Sequence, residues 1–261
     1  MATTTVANGD ARTREIAERK FFFYLALAIA ITIVAGFSLN FAMGRSSLAV
    51  PLIYHAHGIA FFAWTGLFIT QSGLIAADNR ALHARLGMIS AGLVPVMVVL
   101  GIWLMVVVMR RNGGPFFFDQ NEFLFSNPVH LLLFAGLTFA ALKSRRYSGW
   151  HRRLMLMGFA VLSGPGLGRL IPLPLMIPYA WRIMVLVVLI WPIIGMIRDL
   201  VKTGRVHPAW LWGAGALLVA QGLADLVAYS EFGIAFTRDF LAGTPGAERP
   251  MEAFLPPGFA M

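Results

Sequence analysis

The sequence predicts an all-α membrane protein that crosses the bilayer several times. Of its 261 residues, 58% are hydrophobic and only 13% are charged, and the mean hydropathy is +0.73. Soluble domains seldom exceed one half apolar residues, so this composition is typical of an integral membrane protein. The apolar residues also fall into runs of about 20, the length of a helix that spans the hydrocarbon core.

Seven such runs occur along the chain. They cover roughly residues 21–43, 53–76, 87–109, 122–142, 153–175, 180–200 and 208–229. The first run lacks a small-residue cleavage site, so we expect it to be retained as a helix. The seventh run is interrupted by Gln221 and Asp225. Because the connections are short, consecutive helices are expected to be antiparallel neighbours.

The predicted organisation has three parts. Residues 1–19 are polar and are expected to form a disordered segment, followed by a seven-helix transmembrane domain over residues 20–230. Residues 231–261 are expected to form a C-terminal tail, because AGTPGAERPMEAFLPPGF contains four prolines.

The basic residues predict the orientation of the helices. With the N-terminus in the cytoplasm, 14 of the 21 Lys and Arg residues lie in cytoplasmic segments. An excess of Lys and Arg in cytoplasmic loops is the usual determinant of orientation, so the C-terminal tail is expected outside the cytoplasm. The same clustering accounts for the formal charge of +9 without a nucleic-acid partner.

The composition also excludes several kinds of site. The chain has no cysteine, which rules out disulfides, iron–sulfur ligation and thiolate zinc sites. Ionisable residues within membrane-spanning segments are costly and usually functional. The histidines in and beside the apolar runs are therefore the first candidates for a functional site.

Four histidines occupy matching positions in two successive hairpins. His57 lies near the outer end of predicted helix 2, and His130 lies in the outer third of helix 4. His83 and His151 begin helices 3 and 5 in the matching contexts ALHARLG and GWHRRLM. Helices 2–3 and 4–5 are therefore predicted to be a duplicated helical hairpin that forms a four-helix core about an approximate twofold axis.

This symmetry would bring His57 towards His130 and His83 towards His151. Two facing histidines are the usual means of holding a six-coordinate haem iron. The sequence thus predicts haem b, one or two copies, with these four histidines as iron ligands. The expected function is electron transfer across or within the membrane, between layers roughly 20 Å apart at 1.5 Å per helical residue.

The face of helix 2 supplies further candidates. His57, Trp64 and Gln71 recur every seven residues and share one face of the helix. His55 lies about 200° away from His57 around the axis. Trp64, Gln71 and His55 are therefore expected to surround the ligands without binding the iron.

Arg169 is the remaining candidate for cofactor binding. It follows His151 by five helical turns, so it shares that face at the level of the outer histidines. A buried arginine needs an anionic partner, and a haem propionate, Asp225 or a bound anionic substrate would serve. Gly101 and the glycines of GPGLG (164–168) either admit a flat macrocycle or allow close helix packing.

Other interpretations of these residues stay open. A histidine at a helix end is often an interfacial hydrogen-bonding group. A small-molecule or proton-coupled transporter, or a sensor, would use a polar face without haem, formed by His57, Gln71, His130, Arg169 and Asp225. A membrane metal hydrolase would need intramembrane carboxylates to join the histidines as ligands or base. A structural or assembly role is the last alternative.

The pattern H-x-H-G…W…Q…L-H-x-R-L-G, followed by H-x-R-L-M…G-P…R, resembles an uncharacterised family of bacterial multi-spanning membrane proteins. The resemblance covers roughly residues 20–200 and implies no activity. Its matching positions are His55, His57, Gly58, Trp64, Gln71, His83, Arg85, Gly87, His151, Arg153, Met155, Pro165 and Arg169.

More distantly, four histidines on four consecutive helices look like the transmembrane di-haem cytochromes b that pass electrons from ascorbate. That resemblance implies two haems held by helices 2/4 and 3/5. Here the inner histidines lie at helix tips and the spacing is uneven, and no ascorbate-site motif carries over. The expected partners are the lipid bilayer and a redox partner protein or a quinone. The expected location is the bacterial inner membrane, with the N-terminus cytoplasmic and the C-terminus periplasmic.

Overall fold

A computed structural model describes residues 2–259, with side chains from residue 12 onward. This part of the chain forms α-helices, short 3₁₀-helices and turns, without β-strands. The α-helices are α1 (Ala2–Ala42), α2 (Leu52–Ala76), α3 (Arg80–Asn112), α4 (Gln120–Lys143), α5 (Ser148–Leu162), α6 (Gly164–Leu170), α7 (Ala180–Val188), α8 (Ile190–Thr203), α9 (Pro208–Ala228) and α10 (Glu231–Leu241). Two 3₁₀-helices cover Leu173–Met176 and Pro245–Glu248.

Six segments of the described chain are long and apolar enough to cross a membrane. They are residues 12–42, 52–76, 80–112, 120–143, 180–203 and 208–228. The segment over 180–203 joins α7 and α8 through Leu189, whose φ of −66° and ψ of −10° keep the chain nearly helical. The prediction of an all-α, multi-pass membrane protein is therefore confirmed, with six spans by length and composition.

The fifth predicted span, residues 153–175, is divided in the structure. Helix α5 has 15 residues, which at 1.5 Å per residue covers about 22 Å of a hydrocarbon core about 30 Å thick. It ends at Ser163, whose hydroxyl donates to the carbonyl of Ala160 at 2.6 Å. The next helix begins with Gly164 and Pro165, and Pro165 has no backbone N–H for the α5 ladder. The local sequence thus interrupts the fifth run.

The core of the bundle follows the order of the chain. Helices α2 and α3, α3 and α4, and α4 and α5 pack as neighbours. Helix α1 covers α2 and α6, while α9 packs along α4 and α5. Short connections between long apolar helices account for this arrangement, because each helix turns back beside the previous one.

Glycines at two helix contacts permit close packing. A Cβ on Gly101 of α3 would overlap Cδ1 of Leu131 in α4. A Cβ on Gly36 of α1 would overlap the carbonyl oxygen of Gly166 in α6. Of the two predicted roles for the small residues, Gly101 and Gly166 serve close helix packing.

One face of the bundle carries the α2–α3 and α4–α5 connections, and we call it the N-terminal side. There Arg19 of α1 lies 2.5 Å from Asp78 in the α2–α3 connection, which holds the pKa of that exposed carboxyl below its usual value. Arg152 of α5 lies 2.6 Å from Glu18. Residues 12–19 are therefore helical and paired, whereas the sequence suggested a disordered segment.

The opposite face carries the α3–α4 connection and residues 229–259, and we call it the C-terminal side. The chain after α10 lies across the α3–α4 connection. Arg249 donates to the carbonyls of Gly114 at 3.0 Å and Phe118 at 2.7 Å, and Gln120 donates to Gly246 at 2.8 Å. Burial lowers the pKa of Arg249 to about 10, so it stays charged at neutral pH. This C-terminal segment therefore fixes the start of α4.

Candidate functional site

Two imidazoles face each other on the N-terminal side. His83 in the first turn of α3 and His151 in the first turn of α5 have ring centroids 6.2 Å apart, with ring planes at 83°. Nδ1 of His151 lies 2.8 Å from the carbonyl oxygen of Ala141. Because a carbonyl only accepts, Nδ1 donates this hydrogen bond, and in the neutral tautomer Nε2 is then the nitrogen with the lone pair. The structure thus brings the predicted inner pair together and leaves a nitrogen of His151 able to bind a metal.

Buried polar atoms without hydrogen-bond partners surround this pair. They include Nδ1 of His83 and both side-chain amide atoms of Gln71. Gln71 is 9% exposed, its side chain lies against Gly87, and its backbone carbonyl lies beside the His83 imidazole. Buried polar groups are nearly always hydrogen-bonded, so unpaired ones indicate bound water, an ion or a ligand. Gln71 therefore belongs to the site on the N-terminal side, near His83.

A buried ion pair fixes the start of α5. Two residues after His151, Arg153 donates to Asp199 of α8 through Nε at 3.0 Å and Nη2 at 2.6 Å. The two side chains are 5% and 4% exposed. Trp210 of α9 donates to the same carboxylate at 3.0 Å. The ion pair joins α5, α8 and α9 and so determines where His151 lies.

Four aromatic rings, the aromatic column, fill the middle of the bundle. Trp64 of α2 is 2% exposed and meets Phe134 of α4 edge-on at 5.2 Å between centroids. Phe68 stacks on Phe159 of α5 at 4.2 Å. Close packing of large rings leaves no room for a continuous file of water. The aromatic column therefore separates the polar groups of the two sides, and the buried Nε1 of Trp64 has no partner within it.

On the C-terminal side, His57 lies near Arg169. The His57 imidazole stacks on Phe61 with centroids 4.0 Å apart, and its buried Nδ1 has no hydrogen-bond partner. The guanidinium charge of Arg169 is close enough to act on this imidazole. His55 is partly buried and makes no hydrogen bond with the described part of the chain. Arg169 is therefore a charged neighbour of His57, and no hydrogen bond joins His55 to either side chain.

Arg169 has no acidic partner among the residues that the structure describes. Its Nη1 donates to the carbonyl of Pro165 at 2.8 Å, and its Cζ lies 4.1 Å from the ring centroid of Phe37. Its Nε is buried without a partner. The alternative in which Arg169 pairs with Asp225 is wrong, because Asp225 accepts from Nε of Arg182 at 3.3 Å. Arg169 thus retains an unused donor.

His130 faces different neighbours from His57. Its ring centroid lies 5.5 Å from that of Trp181 in α7, and its imidazole lies beside Gln221 of α9. No ring contact or hydrogen bond joins His57 and His130 in the described structure. Helix α4 packs along α9, which turns His130 towards α7 and α9. The structure therefore does not bring the predicted outer pair together.

Gln221 is the centre of a hydrogen-bond network on the C-terminal side. Its Oε1 accepts from Nε1 of Trp181 at 2.8 Å. Its Nε2 donates to Oγ of Ser126 at 3.0 Å and to Oδ1 of Asp225 at 2.7 Å. The second oxygen of Asp225 accepts from Arg182. The two polar residues that interrupt the seventh run are therefore hydrogen-bonded structural members of this network.

Glu122 lies at the edge of this network. Its side chain is 2% exposed, and the nearest Arg182 nitrogen is 4.0 Å from its Oε1, which has no hydrogen-bond partner. An ionised carboxylate buried without donors costs several kcal/mol. The first turn of α4 offsets only about 0.3–1 kcal/mol of this through the helix dipole. Glu122 is thus the least compensated carboxyl of the C-terminal side.

Sequence reasoning did not assign Glu122, Arg182, Ser126 or the pair Arg153–Asp199 to the site. The available signal was polarity inside apolar runs. Asp199 lies within the sixth run, and Glu122 follows two other polar residues at the start of the fourth. Their partners come from helices distant in the sequence, so the pairing itself had no local signal.

In comparisons with family models, curated proteins and solved structures, nothing matches the chain. Among the described residues, no group of three or more His, Cys, Asp or Glu side chains could hold a metal ion. A hydrolytic zinc site uses three protein ligands, so the metal-hydrolase interpretation has no ligand set in this part of the chain. A haem iron needs only two axial ligands from the protein.

Proposed function

We propose that the protein is a b-type haem protein that carries electrons within the membrane, with His83 and His151 as axial ligands. The observation that supports this most is the facing of the two rings, with Nδ1 of His151 bonded to a backbone carbonyl. Metal-binding histidines usually donate their second ring N–H in this way, which orients the ring and leaves Nε2 for the metal. The haem would supply one-electron chemistry.

The residues around this pair fit such a group. Nδ1 of His83 and the amide of Gln71 are buried polar atoms for which the protein provides no partner. Arg153 and Asp199 keep the start of α5 in place, which holds the His151 ring in its orientation. We propose a single haem at this pair, because the His57 and His130 rings are turned towards different helices.

We assign His57 and Arg169 to the redox partner, and the class that we propose is a membrane quinone. The carbonyl oxygen of a quinone accepts hydrogen bonds, and Nε of Arg169 is a buried donor that the protein does not use. The rings of Phe37 and Phe61 lie beside these two side chains and would pack against a flat head group. The aromatic column lies between this position and the histidine pair.

The proposed architecture keeps seven membrane passes, with α5 and α6 together as the fifth. Only Ser163 separates these helices, and its φ of −74° and ψ of −16° are nearly helical. The duplicated hairpins are then α2–α3 and α4–α5. The proposed orientation has the N-terminal side in the cytoplasm of a bacterium, because most Lys and Arg residues lie on that side.

The absorbance spectrum of the purified full-length protein tests the function. We expect a Soret band and reducible α-bands, and we expect His83→Ala and His151→Ala each to abolish them. The double variant should lose nothing more, because the two ligands act as one unit. A colourless protein that takes up no added haem contradicts the proposal.

The matched control is His55→Ala, which removes an imidazole without hydrogen-bond partners and should keep the full spectrum. His57→Ala and His130→Ala should also keep it, since neither is a ligand in this proposal. The transporter alternative needs His57, Gln71, His130, Arg169 and Asp225 on one face. It would be favoured by a colourless protein whose His57→Ala variant no longer binds a solute.

A further inference from the structure

Helix α4 begins with three consecutive buried polar residues. Gln120, Asn121 and Glu122 are 3%, 3% and 1% exposed. The amide of Gln120 donates to the carbonyl of Gly246, and the amide of Asn121 donates to that of Ala228 at 2.9 Å. These two side chains join α4 to the C-terminal segment and to the end of α9. Glu122 makes no such bond, so this structural role does not account for it.

The three carboxyls of Asp119, Glu122 and Asp225 differ in the donors that they meet. Asp119 accepts from the backbone N–H of Ala253 at 2.6 Å and from the hydroxyl of Tyr229 at 2.8 Å. Asp225 accepts from the amide of Gln221 and from Nε of Arg182. Both therefore have two hydrogen-bond donors from the protein. Glu122 has an oxygen without any donor and is the most deeply buried of the three.

The charges around Glu122 also leave an ionised carboxyl at this position uncompensated. Arg182 is 4.0 Å from Glu122 and 3.3 Å from Asp225, so one guanidinium lies between two carboxyls. The other groups that act on Glu122 are Asp119 and the phenol of Tyr229. Two neighbouring anions and one shared cation do not compensate a third buried anion.

We propose that Glu122 is a proton-binding site that exchanges with water on the C-terminal side. Its ligand is a proton, and Arg182 and Asp225 are its neighbouring charges. The Arg182 side chain is 40% exposed and that of Asp225 is 22% exposed, so the network reaches the surface. This proposal does not depend on haem binding.

Two further polar side chains lie on the same face of α4 as Glu122, towards the middle of the bundle. Ser126 and His130 follow at intervals of four residues, so the three side chains share a face over about 12 Å. Gln221 bonds to Ser126 and lies beside His130, whose buried Nε2 has no partner. This face of α4 therefore carries both the proposed proton site, Glu122, and His130, which the sequence predicted to pair with His57.

Infrared spectroscopy of the full chain in liposomes, with carbon-13 in glutamate side chains, tests the site. We expect a carboxylic acid C=O band at pH 7 that shifts with the glutamate label and shifts again in D₂O. Glu122→Gln should remove this band completely. The matched controls Asp119→Asn and Asp225→Asn, which neutralise the other two carboxyls, should keep it.

Neighbouring charges sharpen the test. In Arg182→Gln the band should persist to higher pH than in the wild type, because a cation that favours the ionised form has been removed. Thermal unfolding of Glu122→Gln shows whether that near-isosteric variant is folded. The proposal is overturned by the absence of a glutamic acid band at pH 7 or by its survival in Glu122→Gln. It is equally overturned by a band that does not shift in D₂O.

Discussion

The two sides of the bundle each carry two of the four candidate histidines, yet the hydrogen bonding around these histidines differs. On the N-terminal side, His83 faces His151, and the buried amide of Gln71 has no partner. On the C-terminal side, the buried amide of Gln221 makes three hydrogen bonds. The Gln71 amide is thus unpaired beside two histidines, whereas the Gln221 amide is fully bonded in a network that includes Asp225 and Arg182.

The difference teaches that similar positions of histidines along α2–α3 and α4–α5 do not give them similar neighbours. The first half of α4 packs along α9, which supplies Gln221 and Asp225 to the face that carries His130. The start of α5 instead contacts α3 through the rings of His151 and His83. Asp199 of α8 binds Arg153 in the same turn of α5. Helices outside α2–α5 therefore decide which pair of histidines meets.

The largest effect is expected at the buried Arg153–Asp199 pair of the N-terminal side, where Arg198 is the other cation, 3.9 Å from the carboxylate. Arg153→Met leaves Asp199 buried at 4% exposure without its guanidinium. Breaking one partner of a buried pair costs about 3–5 kcal/mol of unfolding free energy. Denaturant unfolding in micelles, followed by circular dichroism, measures the loss. Arg153→Met/Asp199→Asn should recover most of it, since Asn still accepts from Trp210. A loss below about 1 kcal/mol would show that the pair does not hold α5.

Replacing a buried glutamine with leucine on each side of the bundle tests this comparison. Gln221→Leu leaves Nε1 of Trp181 and Oγ of Ser126 without their partner, and unsatisfied buried groups cost about 1–3 kcal/mol each. It also removes one of the donors to Asp225, which keeps Arg182. Gln71→Leu removes two unpaired polar atoms from haem-free protein and should be neutral or stabilising. The free energies of unfolding of both variants are the measurement. Equal destabilisation by the two changes would mean that Gln71 has a partner in the haem-free protein.

The class of fold could be predicted because the bilayer imposes it. A run such as residues 180–203 is long and apolar, and its backbone can only be satisfied as a helix. The break at Ser163 could not be read from hydropathy, because Gly164 and Pro165 are tolerated in many membrane helices. The divided fifth run is thus a local backbone effect that an apolar window does not detect.

The candidate site was partly predictable for a similar reason. His83 and His151 meet because each begins a helix next to a short connection, where chain order determines position. His130 lies in mid-helix, and its neighbour Trp181 is about 50 residues further along, so only tertiary packing could show the contact. The pattern of histidines indicated where polar groups are concentrated but not which of them face each other.

The smallest effect is expected at His207, where the N-terminal side meets water. Its Nδ1 accepts from the backbone N–H of Ala209 at 3.1 Å and so caps α9. Burial, and then the charge of Arg153, lower the pKa of His207 below its usual value of about 6.5. The folded protein therefore favours the neutral His207 ring. The stability that this preference contributes is fully present above about pH 6.5, and it is lost as the pH falls through the lowered pKa. Protonation of Nδ1 also removes the cap, which contributes about 1 kcal/mol and less at a partly exposed site.

His207→Asn keeps a capping oxygen without a titrating group. We therefore expect the melting temperature of the wild type, relative to that of His207→Asn, to fall between pH 7.5 and pH 5. If the difference between the two melting temperatures stays constant over this range, the cap does not depend on the charge of the ring.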